Sequence, residues 1–265
     1  MIDVGVNLTN KRFDKDRTEL IVRAKNNGVK QLLITGTSVS ESQKALALCQ
    51  DYQQQFPNTL FATAGVHPHD ADGVSIDYLA QLAQLAKQPQ VKAIGECGLD
   101  FNRNFSAPAQ QLKVFKEQLN LAVQLGMPLF LHQRDAFETW FDELKPFIGQ
   151  VPALVAHCFT GNKAQLRKCI EADMYIGITG WLCDERRGKT LQEIVRLIPQ
   201  NRLLIETDAP YLTPRTIKPK PKSSRNEPSY LPFIVEKIAS ITALDPREIA
   251  CQTSINARQA FNLQL

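Results

Sequence analysis

Five short stretches of this 265-residue chain carry side chains that hold protons, metal ions or phosphates. They read Gly65-Val66-His67-Pro68-His69, Gly95-Glu96-Cys97-Gly98-Leu99-Asp100, His132 with Arg134 and Asp135, His157, and Glu206-Thr207-Asp208-Ala209-Pro210. The chain has 4 histidines, and all of them fall in these stretches. Two imidazoles and a carboxylate, here His132, His157 and Glu96, form a common catalytic metal set that leaves positions open for water and substrate. A carboxylate such as Asp208 then suits either proton transfer from water or completion of the metal shell. His67 has two open readings, a contact to substrate phosphate as imidazolium or a loop-bracing hydrogen bond; for His69 the brace is favoured. Arg134 offers a planar fork to a phosphate, or an ion pair to Asp100 or Asp135. Glu206 shares a strand face with Asp208 and reads equally as a support for the site or as a satisfied core acid.

Each stretch follows a short apolar run of the kind that forms a strand buried on both faces. Eight such runs recur: Ile2–Val6, Leu32–Thr35, Leu60–Val66, Val91–Cys97, Pro128–His132, Ala153–Cys158, Met174–Thr179 and Leu203–Thr207. Amphipathic segments separate them, with helices expected at Asp77–Ala86, Gln110–Leu125 and Leu191–Ile198, and two more at Tyr230–Ile241 and Pro246–Phe261. Eight strand-helix units in a chain of this length predict an α/β fold, a (β/α)8 barrel forming one domain over residues 1–265. A doubly wound open sheet is the competitor, but no Gly-rich phosphate loop follows an early strand. In a barrel, chemistry sits at the carboxyl ends of the strands. Glu96, His132 and His157 would come from three successive strands, ~5 Å apart, and so converge; Asp208 would face them across the mouth.

Apolar residues make up 43% and charged residues 22%, which argues against wholesale disorder. The net charge of +4 is too small for a purely charge-driven nucleic-acid binder, so the placement of the charges matters more than their sum. Basic residues collect in one Pro-rich segment after the eighth strand: Arg215, Lys218, Lys220, Lys222 and Arg225, with no acid before Glu227. Such a loop would hold and steer a polyanion. Arg186, Arg187 and Lys189 form a second basic group, and Trp181, Phe101 and Tyr211 are loop aromatics available for stacking on unpaired bases or for packing. The 6 cysteines form no C-x-x-C pair, the amino terminus lacks a signal-peptide pattern, and no apolar stretch is long enough to span a membrane. These features predict free thiols, a cytoplasmic location and no membrane partner. No heptad pattern forces a dimer, so a monomer is expected.

The signatures GVHPH, GECGLD, LHQRD, HCFTG, ETDAP and RNEP occur in order from Gly65 to Pro228. In this the chain resembles the TatD family of metal-dependent nucleases, within the amidohydrolase-like barrels. The resemblance implies hydrolysis of phosphodiester bonds, as a 3′–5′ exonuclease on single-stranded DNA or RNA, with a role in DNA repair or degradation. It also implies metal ligands at Glu96, His132, His157 and Asp208, with catalysis through Asp208 and Glu96; the residue types and their placement add substrate contacts at His67, Arg134, Arg225, Lys218, Lys220 and Lys222 as expectations. One departure stands out. Most members begin with an Asp-x-His-x-His pattern on strand 1, which helps to hold a second metal ion. Here Gly5 and Asn7 occupy the histidine positions after Asp3. A single well-held ion is therefore expected. Imidazole ligands favour zinc, manganese or iron, while the nuclease resemblance implies magnesium; Mg2+ or Mn2+ is the working expectation, with Zn2+ as the other candidate. Two other functions stay open: an amidohydrolase of a small ester or amide, and a non-catalytic barrel that only binds nucleic acid.

Overall fold

The computed structural model describes residues 1–264. Strands and helices alternate, beginning with β1 (Ile2–Val6), α1 (Arg17–Asn26), β2 (Gln31–Ile34), α2 (Val39–Asp51), β3 (Leu60–Ala64) and α3 (Tyr78–Ala86). Next come β4 (Val91–Asp100), α4 (Pro108–Leu125), β5 (Leu129–Arg134), α5 (Phe137–Leu144), β6 (Leu154–Ala156) and α6 (Lys163–Glu171). The chain finishes with β7 (Tyr175–Ile178), α7 (Lys189–Ile194), β8 (Leu203–Ile205), α8 (Leu231–Thr242) and α9 (Pro246–Phe261). All eight expected strands are present, in sequence order. β1, β2 and β3 are buried at every position, which explains why they read as continuous apolar runs rather than as alternating ones.

The described residues form two compact units. One comprises Met1–Ile34 and Cys158–Gln259. In it β1 pairs with β2 and β7 with β8, all parallel, and Val6 bridges to Ala209 just past β8. The buried carboxylate of Asp3 accepts the Thr207 N–H at 2.9 Å and the Thr207 hydroxyl at 2.5 Å. This bond ends β8 at Ile205, where the sequence suggested Thr207, because the Thr207 amide turns to a side chain instead of the ladder. A similar substitution shortens β6. The N–H of Cys158 donates to Glu206 Oε1 at 2.6 Å, and Cys158 adopts φ +46°. Glu206 is thus engaged in bracing backbone. The helix expected to reach Ile198 stops at Ile194 and tightens into a 3-10 turn, Val195–Leu197, ahead of Pro199.

The other unit comprises Thr35–His157 and Ala260–Leu263. Its strands β3, β4, β5 and β6 pair in parallel. β4 runs three residues beyond its expected end at Cys97, because Gly98, Leu99 and Asp100 stay in register with His132, Gln133 and Arg134. Two fully buried glutamines on one face of α4 complete backbone bonds that the ladders leave open. Gln118 accepts from the Val66 N–H at 2.8 Å and donates to the Val66 carbonyl at 3.0 Å, next to His67. Gln111 does the same for Asp100, at 2.9 and 3.1 Å. Gln118→Leu keeps the volume but orphans a buried N–H and a buried C=O. It should lower unfolding free energy by about 2–6 kcal/mol in urea titrations, given about 1–3 kcal/mol for each unsatisfied group. A loss under about 0.5 kcal/mol would mean that water replaces the side chain.

Candidate metal centre

Glu96 is carried on an irregularity in β4. Between Ile94 and Cys97 the β4 register slips against β5, which re-aims the residues at the break. Glu96 is 6% exposed, and three imidazoles approach its Oε1. His132 Nδ1 lies at 2.9 Å, His67 Nε2 at 3.5 Å and His157 Nε2 at 3.7 Å. Burial works to raise the Glu96 carboxyl, but the surrounding rings, His67 first, outweigh it and hold the group below the usual carboxylate range. The sequence-predicted trio of Glu96, His132 and His157 therefore does meet around one oxygen, and His67 joins it.

The rings differ in what they can give. Candidate ligand atoms of His67, Glu96 and His132 lie within 4.8 Å of one another. Yet His67 Nδ1 accepts the backbone N–H of His69 at 3.1 Å, which puts the remaining ring proton on Nε2. An N–H has no lone pair to offer an ion, so His67 fits as a hydrogen-bond donor instead. Burial also pushes its pKa down to about 3, so it is neutral. A contact to phosphate as imidazolium, one of the readings of the sequence, does not hold.

His132 has the opposite character. Burial works to lower its pKa, but the carboxylates of Asp100 and Glu96 outweigh it and hold the ring above its ordinary 6.5. Its Nε2 is buried without a hydrogen bond and lies 3.7 Å from Asp100 Oδ2. At 2.9 Å from Glu96 Oε1, His132 Nδ1 carries a proton and donates it to that carboxylate; only on losing this proton, with the other held on Nε2 towards Asp100, would Nδ1 present a lone pair to an ion. With that proton gone, the set expected from the sequence, Glu96, His132 and His157, would suit a divalent ion, with an acid behind one imidazole as metal-binding histidines commonly have. Asp100 is itself fixed: His69 Nε2 lies 2.7 Å from its Oδ2, and the N–H groups of Asn102 and Arg103 donate to its Oδ1. His69 is thus a brace, as expected, with Asp100 as the braced group.

In the other unit, Asp208 is held from two sides. Its backbone N–H donates to the Gly5 carbonyl at 2.8 Å, and Asn7 Nδ2 donates to its Oδ1 at 2.9 Å. Asn7 stands where the family pattern has a histidine, and here it orients the acid. The basic residues divide. Both Nη atoms of Arg225 lie on Asp16, at 2.7 and 2.8 Å, and Arg23 ties Asp16 to Glu227. Bonds from Arg225 hold the Asp16 carboxyl down at about 2. Arg225 is therefore a structural clamp and not the expected substrate contact. Arg215 pairs with Glu185, and Arg187 pairs with Asp184 while lying 4.4 Å from the Trp181 ring centre. Lys218, Lys220 and Lys222 are exposed. Arg134 is half-buried at the end of β5.

This arrangement gives different outcomes for rings that look alike in sequence. His132→Ala should weaken Mn2+ binding at least about tenfold, and His67→Ala should change it less than about threefold, by isothermal titration calorimetry. Because His132 must lose a proton to bind and its pKa is raised, affinity should rise as pH increases above 6.5, with proton release visible as a buffer-dependent heat. Flat affinity over that range would remove His132 from the ligand set.

Comparison with known proteins identifies the family. The model of the family described as TatD related DNase matches residues 2–262. A 3′-5′ ssDNA/RNA exonuclease TatD of Erwinia tasmaniensis is 52% identical over 263 residues, covering 99% of this chain and 100% of that protein. Among solved structures, a hydrolase of the TatD family from Entamoeba histolytica superposes with a TM-score of 0.91 at 26% identity, covering 100% of this chain and 98% of that one. A TatD homologue from Escherichia coli gives 0.89, also at 26% identity, with the same coverage. The fold class is thus the amidohydrolase-like (β/α)8 barrel, and the chain belongs to the TatD family of DNases.

Proposed function

We propose that the protein is a metal-dependent hydrolase of phosphodiester bonds that degrades single-stranded DNA and RNA in the 3′–5′ direction. The observation that carries this reading is the identity of about half of all residues, over the full length, to a curated exonuclease of that description. The donor set around Glu96 supports it, and so does the exposed lysine run. A phosphodiester resists attack because its oxygens are already anionic. A divalent ion held by Glu96, His132 and His157 would polarise a phosphoryl oxygen and acidify water. Mg2+ or Mn2+ is the proposed ion: family membership favours Mg2+, and two imidazoles beside one carboxylate and open water positions favour Mn2+.

The chain's own residues then divide the work. His67, neutral and with its proton on Nε2, donates a hydrogen bond to an anionic oxygen. Asp208, oriented by Asn7, accepts the proton of the attacking water. Arg134 offers its fork to a phosphate of the same strand. Lys218, Lys220 and Lys222 add affinity without entering the chemical step. The 6 free cysteines, four of them buried, support a reducing cytoplasm. No described helix is long and apolar enough to cross a membrane.

Purified protein should shorten a 5′-labelled single strand from its 3′ end, and chelation should stop it. Asp208→Asn should abolish hydrolysis while strand binding stays within about threefold, since affinity comes largely from phosphate contacts; a variant that keeps most of its kcat would remove Asp208 as base. Replacing the three lysines together should raise KM more than it lowers kcat, and should shrink the log–log salt slope by roughly 2, at ~0.7 per phosphate contact. An unchanged slope would make the segment a solvated loop.

A further inference from the structure

Four aromatic rings stand in file from the protein surface to the metal centre. Phe105, in the loop between β4 and α4, meets His69 edge-on with ring centres 4.7 Å apart. His69 meets His67 at 4.3 Å, and His67 meets His132 at 4.4 Å. The last ring belongs to a proposed metal ligand; the first is 64% exposed. A phenyl ring left in water forgoes the stabilisation that burial would give it. The loop that carries it is tied down. The hydroxyl of the adjoining Ser106 is buried, donates to the His69 carbonyl at 2.8 Å and accepts from the Asp72 N–H at 3.0 Å. Gln111 holds the Ser106 carbonyl at 2.9 Å. The loop presents a pre-positioned aromatic face.

Phe105 and His69 also line an open pocket of about 600 Å3. That is within the range of small-molecule sites and leaves room for a nucleoside. Ser38, Ser40 and Gln43, from the amino end of α2, stand on the same rim with Asp70 and Asp72. The two carboxylates oppose a phosphate there. A neutral heterocycle carrying amino and imino donors suits them and the hydroxyls. Arg103 lies 5.8 Å from the Phe105 centre, where it can face the backbone of a strand whose base is in the pocket.

We propose that Phe105 and this pocket form a nucleobase subsite that holds one base of the single-stranded substrate while a phosphate of the same strand lies at Glu96 and His132. Each ring-to-ring step between the two places is under 5 Å, so one short stretch of strand can occupy both. The subsite tolerates any base, because every base has a stacking face and the rim groups both donate and accept. The inference rests on the nuclease reading and adds the groups that grip the strand.

The test uses short oligonucleotides carrying one abasic residue at successive positions from the 3′ end. Binding is measured by anisotropy in chelator and cleavage by KM and kcat with Mn2+. In the wild type one abasic position should weaken binding and raise KM by about tenfold, the scale of one base–aromatic stack. Phe105→Ala should show the same loss on the intact strand and no further loss at that position. Phe105→Trp should restore both binding and sensitivity. Ile76→Ala, at a fully exposed apolar residue that does not line the pocket, serves as the control. If Phe105→Ala binds the intact strand normally, or keeps the abasic penalty, the subsite is overturned. The binding arm needs no turnover, so an inert wild type that still shows the Phe105-dependent penalty would sink the nuclease reading and leave the subsite standing.

Discussion

Glu96 is a carboxylate buried among imidazoles, and the organisation of the centre follows from that. Removing an anion from water without a partner costs several kcal/mol. No lysine or arginine pairs with Glu96 among the described residues; its partners are His67, His132 and His157. The choice of partner matters. A guanidinium or ammonium would satisfy the carboxylate permanently and repel any incoming cation. An imidazole can give an N–H to the carboxylate, or give up the proton and lend a lone pair to an ion. The same rings can thus support the anion alone and share a cation with it. His67 departs from the group because the His69 amide already occupies its Nδ1.

That arrangement requires β4 to run unusually close to β5, and two glycines make it so. Gly95 has φ +132°, and a side-chain carbon there would lie 2.1 Å from the Phe130 carbonyl oxygen. Gly98 has φ +151°, and its added carbon would lie 1.8 Å from the His132 carbonyl oxygen. Neither position admits another residue without moving backbone. The motif GECGLD therefore combines chemistry and geometry: the acid, the two glycines that press it against the strand bearing His132, and Asp100 behind that ring. Gln111 fixes the end of this strand, and Gln118 the segment before His67. The polar groups of the centre are tied to helix α4 more than to loops.

Much of this was legible in the sequence, for physical reasons that can be named. Strands buried on both faces leave continuous apolar runs, so all eight were visible. Their ends were not. β4 continues because Gly98 lets it, while β6 and β8 stop early because Glu206 and Asp3 capture amides that a ladder would otherwise use. Histidine clustering marked the centre, but the tautomer that separates His67 from its neighbours depends on a local backbone bond. Arg225 looked like a substrate contact because nothing in the local sequence pairs it; its partner, Asp16, is 209 positions away. Asn7 looked like a loss, and its bond to Asp208, 201 positions away, gives it a positive role. The two buried glutamines of α4 left a signal that was not used: polar residues seven apart, on the apolar stripe of a helix.

The distribution of charge explains how a protein with a net charge of only +4 can be suited to a polyanion. Guanidinium groups here are largely structural. Arg23, Arg187, Arg202, Arg215 and Arg225 each lie on a carboxylate within hydrogen-bonding distance. Their planar forks hold loops in place, and their charge is balanced locally. The lysines of the Pro-rich segment are different: compact, strongly hydrated charges on flexible stems that make no ion pair among the described residues. Such groups attract phosphates at long range and release counterions on contact, but they impose little geometry. Geometry would come from elsewhere, from the bonded acids and rings around Glu96 and from a rigidly presented aromatic. A strand held loosely by charge and tightly at one base and one phosphate can slide after each cut. An exonuclease that accepts many sequences needs that combination.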